Sequence, residues 1–100
     1  MPEDPTPERL EMLLVVRWLD QGAPEDGEVA LDVADAAEEL ALAEGRRGML
    51  ALMAALGALE ERGTVRVQWP GAAGGIAHVT VAEHVRRDAA GLFGRPDRPA

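Results

Sequence analysis

Arginine is the residue type with which this chain is best equipped to do chemistry. Its basic side chains, histidine aside, are ten arginines and no lysine. A guanidinium donates hydrogen bonds in a planar fork that matches phosphate oxygens and guanine edges two bonds at a time. Spacing picks out the adjacent pairs Arg46-Arg47 and Arg86-Arg87, Arg66 two positions before Gln68, and His78 beyond a glycine-rich stretch. Covalent chemistry has less to work with. Without Cys or Ser the chain lacks the two commonest nucleophiles, disulfides and thiolate metal sites. Of the three hydroxyls, Thr6 reads as a helix cap, and Thr64 and Thr80 fall in strands. A metal site from His78, Glu83 and His84 would straddle a strand-to-helix change, which is no known ligand spacing, so surface histidines and no metal are expected. No carboxylate pair sits in an apolar context that would split its pKa values. No glycine-rich loop follows a strand and opens a helix; Gly71, Gly74 and Gly75 fall at a hairpin tip. Neither an enzyme nor a bound cofactor is expected.

Charge is unevenly distributed. The formal net charge of -8 argues against nucleic acid. Residues 1–44, however, hold thirteen acids and two arginines, whereas residues 45–100 hold five acids and eight arginines. An acidic front thus precedes a mildly basic back.

At 100 residues and 47% apolar composition, one small domain with its own core is expected. No apolar run approaches the roughly 20 residues of a membrane-spanning helix. The start of the chain is acidic and proline-rich, unlike a signal or transit peptide, so a cytoplasmic protein with no membrane partner is the expectation.

The elements that must position the arginines follow from periodicity. Residues 1–6 and 94–100 read as disordered tails around a domain at 7–93. Thr6-Pro7 reads as N-cap and first position of a helix running to Gln21 and stopped by Gly22. That helix carries two apolar stripes, Met12, Val15, Val16, Leu19 and Leu10, Leu14, Trp18. The first is expected in the core. The second is a candidate interface, which predicts a homodimer; of the two tryptophans, Trp18 is the better interface candidate. Glu28 to Leu31 reads as a short strand. Asp32 caps a helix from Val33 to Ala43 with Asp35 in its first turn and Asp35, Glu38 and Glu39 facing out. After a break at Glu44-Gly45-Arg46, Met49, Leu52, Met53, Leu56 and Leu59 mark an amphipathic helix from Arg47 to Arg62. Alternation then predicts strands at Thr64–Trp69 and Ile76–Val81, joined by a turn at Pro70–Gly75. A last helix from Ala82 to Leu92 places Val85, Ala89 and Leu92 inward.

Ala37 and Leu40, the Gly45 break, and Leu52, Leu56 and Leu59 are followed by Leu59-Glu60-Glu61-Arg62-Gly63-Thr64-Val65. This run resembles the passage from the third helix into the wing of a winged helix-turn-helix domain. The end of the wing is similar to MarR and PadR regulators, except that Val81-Ala82-Glu83 lacks their threonine and Val85 replaces a frequent glycine. The resemblance implies an α+β fold with a three-helix core, a β-hairpin wing and a C-terminal helix. It also implies a regulator of double-stranded DNA whose third helix enters the major groove with its first residues, here Arg46 and Arg47. Arg66, Gln68, His78, Arg86 and Arg87 could complete one binding surface.

Two features favour a second reading, a winged-helix adaptor or subunit that binds an unidentified protein and no DNA. The outer face of the third helix, Ala51, Ala54, Ala55 and Ala58, offers bases only methyl contacts. The helix that would cross the phosphates carries Asp35, Glu38 and Glu39, which would repel them.

Overall fold

A computed structural model describes residues 5–69 and 75–93 of the chain. Residues 1–4 and 94–100 of the expected tails, the turn at 70–74 and the side chain of Leu92 lie outside the described residues. The described residues form four helices and a three-stranded antiparallel sheet. In chain order these are α1 (Thr6–Asp20), β1 (Glu28–Asp32), α2 (Val33–Glu39), α3 (Arg46–Glu61), β2 (Val65–Gln68), β3 (Ile76–Val81) and α4 (Glu83–Phe93). None of these helices is long and apolar enough to cross a membrane.

Local chemistry sets the boundaries. Helix α1 begins at Thr6, so Pro5 and not Thr6 holds the N-cap position. Pro7 fits the first turn, where its missing N–H is no loss. Asp32 caps α2 as its sequence suggests: its Oδ1 accepts the Asp35 N–H at 3.1 Å. Helix α2 stops at Glu39, short of the expected Ala43, because Ala41 turns left-handed at φ 56°. Helix α3 starts from Gly45, whose φ of 67° and ψ of -146° suit only a residue without a side chain. The turn then packs onto the helix it launches. A Cβ on Gly48 would stand 1.8 Å from the Ala43 carbonyl oxygen.

Strand order is β1-β3-β2. Val29 lies opposite Val79, and Val79 opposite Val67. The inner face carries Val29, Leu31, Val65, Val67, Ala77, Val79 and Val81, all buried. It closes over Leu10, Leu14, Val33, Leu52, Leu56 and Leu59, which complete the core. Each fully buried Leu or Val contributes about 1.5–3 kcal/mol relative to exposure. The free edge of β2 is covered: the Val67 N–H donates to Glu60 Oε2 at 3.0 Å.

The two stripes of α1 divide differently from expectation, although Val15 is buried as expected and Leu19 packs against the core. Leu10, Leu14 and Trp18, the candidate dimer interface, are 0%, 1% and 5% exposed. Met12 and Val16, expected in the core, are 50% and 40% exposed. The i, i+4 rows explain the difference. Glu8, Met12, Val16 and Asp20 form a row that begins and ends on an acid, whereas Thr6, Leu10, Leu14 and Trp18 form a row without charge. Only the second can turn inward without burying a carboxylate. The Trp18 indole N–H donates to the Pro24 carbonyl at 2.8 Å, so its one polar group is satisfied in the core. The surface on which the homodimer was expected is thus covered by the chain itself. The tryptophans exchange roles, for Trp69 is the one left exposed.

Candidate nucleic-acid interface

Arg46 and Arg47 open α3 as expected, and both are exposed. The first turn holds no acid to offset them. The unbonded N–H groups there carry partial positive charge of their own. Two guanidinium groups placed on that end create a site that favours an anion and that the fold itself does not neutralise.

Arg66, Gln68 and His78 come together on the outer face of the sheet. In register, Arg66 faces Thr80, and Gln68 faces His78. Both are hydrogen-bonded pairs of the ladder, as the bond from the Ala82 N–H to the Thr64 carbonyl at its end requires. Glu28 and Ala30 of β1 continue the same two rows across the sheet. This patch is not continuous with the start of α3. Glu60 binds the backbone of Val67, so β2 is tied to the far end of α3. At 1.5 Å per residue, Arg46 lies about 20 Å along the helix from that tie.

Arg86 is engaged within the fold. Its Nε donates to the Val81 carbonyl at 3.0 Å, and its Nη1 donates to the Glu25 carbonyl. It ties the entry of α4 to the loop before β1, where Gly27 leaves room for it: a Cβ there would come within 2.8 Å of Arg86 Nε. The sequence shows two adjacent arginines and no sign that one of them is spent inside. Arg87 stays at the surface and pairs with Glu83 one turn back, at 3.0 Å.

The acidic face of α2 is also different from its reading in sequence. Arg17 of α1 reaches across to Asp35 at 3.4 Å and to Glu39. The hydrogen bond that Arg17 donates to Glu39 does most to raise the Arg17 pKa above its ordinary value; burial opposes it, and the charges of Glu39 and Asp35 reinforce it. Two of the three acids expected to repel phosphate are therefore partly neutralised. Glu38 remains exposed, with no ion pair among the described residues. Arg9 donates to the carbonyl of Leu40, the C-cap of α2, at 2.9 Å. Arg62 pairs with Glu8 at 3.2 Å. Of the eight arginines among the described residues, five thus bond within the fold, and Arg46, Arg47 and Arg66 have no such partner.

The outer face of α3 differs in two positions from the alanine stripe expected. Ala55 is buried in the core, and Leu50 is 56% exposed. Leu50 is a lone apolar residue off the periodic stripe, which is the signal that marks it. A separate groove of about 420 Å³ runs between α1 and α4, with Val15, Val85 and Ala89 at its floor and Met12, Glu11 and Asp88 at its rim. His84 lines it too, apart from His78 on the sheet. Among the described residues, no three His, Asp or Glu side chains assemble as a metal site. No protein-family model, curated protein or solved structure matches the chain.

Proposed function

We propose that the chain is a small winged helix-turn-helix domain that binds double-stranded DNA through the start of α3 and the outer face of its hairpin, in a regulatory role. The element order and the strand order β1-β3-β2 support the winged-helix reading. One observation carries the DNA reading. Arg46, Arg47 and Arg66 are the described arginines that the fold does not use, and they lie on the two elements such a domain turns toward a duplex. The bonds from Arg17 to α2 lower the repulsion that its acids would otherwise exert. Fluorescence anisotropy of a short labelled duplex at low salt is the test. Binding is expected, weakened when Arg46 and Arg47 are both replaced by Ala. A duplex that stays free at every protein concentration contradicts the reading.

The groove between α1 and α4 favours a second reading, a winged-helix module that docks a protein partner. Met12 and Val16 place apolar surface beside it that a free-standing domain has no structural need to expose. On this reading Met12→Glu abolishes association with the partner and leaves folding and duplex binding unchanged.

A further inference from the structure

We infer that the duplex engaged by this domain is held by its phosphates and not read at its base edges, so that binding is indifferent to sequence. The inference rests on the DNA reading above and specifies its partner as any B-form duplex. Reading a base edge takes a side chain that can donate to it, accept from it, or do both. Helix α3 has no Asn, Gln, Ser, Thr, Lys or His in its whole length. Its polar side chains are Arg46 and Arg47 at one end and Glu60 and Glu61 at the other. Glu60 is occupied by the Val67 N–H. Between those ends the exposed positions are Leu50, Ala51 and Ala54, which hold no hydrogen-bonding group in their side chains. Between Arg47 and Glu60 such a helix can lie in a groove but offers no donor or acceptor with which to tell one base pattern from another.

The unpartnered arginines have the opposite character. Arg46 and Arg47 share the anion-favouring end of α3, and Arg66 lies on a different element tied to the far end of that helix. Contacts so divided suit the backbone, which presents charge at regular intervals whatever the sequence. Three phosphate contacts predict that log K falls with log salt at a slope of about -2.7.

The experiment is a salt series of anisotropy titrations with two duplexes of equal length, one rich in A·T and one rich in G·C. The expected result is affinities within about threefold of each other, less than one base contact is worth. The slope should be near -2.7 for both, easing to about -1.8 in Arg66→Ala and staying put in Arg62→Ala. Circular dichroism confirms that each variant is folded. A tenfold or larger preference for one duplex overturns the inference and leaves the DNA reading standing, as does an Arg66→Ala slope equal to that of the unaltered chain. Failure to bind either duplex at low salt overturns both.

Discussion

The side of the domain where α1 lies against α2 and α3 and the corner where α3 begins use the same residue to opposite ends. On the first side, Arg9 closes the end of α2, Arg17 holds two of its carboxylates, and Arg62 reaches back to Glu8. Every guanidinium there has a partner within the fold. At the corner, Arg46 and Arg47 are exposed on a helix end that already repels them, and neither has an ion-pair partner among the described residues. Surface ion pairs contribute only about 0.2–1 kcal/mol each, so the first set fixes how the helices sit together more than it stabilises them. The second set costs a little stability through the helix dipole. Charges placed at a small cost to the fold are candidates for function.

The corner is held in place by the close packing of the preceding turn on Gly48. Gly48→Ala puts a methyl group where the Ala43 carbonyl stands, so the turn between α2 and α3 must open. A loss of about 3 kcal/mol or more in urea denaturation is expected. Gly57→Ala, on the same helix with nothing within 4 Å, is the contrast. It should gain about 0.8–1 kcal/mol from helix propensity. Equal effects from the two would mean that the turn does not pack on Gly48.

Arg86→Ala gives the next largest effect. It leaves the part-buried Val81 carbonyl without its donor, at a cost of about 1 kcal/mol or more, while water can reach the exposed Glu25 carbonyl, and duplex affinity measured on the folded variant should not change. A loss of affinity with no loss of stability would place Arg86 in the interface.

Arg17→Ala should be milder, about 0.2–1 kcal/mol by denaturation. The pH dependence follows from the raised Arg17 pKa. A group whose pKa is higher in the folded state contributes fully below its unfolded pKa, and the contribution is lost as pH rises through the folded one. Both lie in the alkaline range. The difference between the unaltered chain and Arg17→Ala should therefore hold through neutral pH and shrink only under strongly alkaline conditions. Removing Arg17 also frees Asp35 and Glu39, so duplex binding should weaken although Arg17 touches no phosphate.

The sequence made the architecture legible because each element has a local cause. The Leu52, Leu56, Leu59 spacing, the Asp32 cap and the alternation around Val65 and Val79 all act within a few residues. What it did not make legible was long-range. Leu10, Leu14 and Trp18 were misplaced because the two stripes of α1 are equally apolar, and only the acids at the ends of the other row tell them apart. The bonds of Arg86 and of the α2 acids stay hidden in the sequence for the same reason. Their partners, Glu25 at one end and Arg17 at the other, are distant in the chain, and no periodicity reports a bond of that kind.

The smallest effect expected on stability is at the corner itself: Arg47→Ala should move the folding free energy by no more than about 0.5 kcal/mol. That makes Arg47→Ala and Arg86→Ala, measured side by side for urea midpoint and for duplex affinity at low salt, the most direct test of the division between the two sets. The account predicts a crossed result, in which Arg47→Ala keeps the midpoint and loses affinity, and Arg86→Ala loses midpoint and keeps affinity. If both variants lose the same property, or Arg47→Ala changes neither, the division between structural and functional arginines is contradicted.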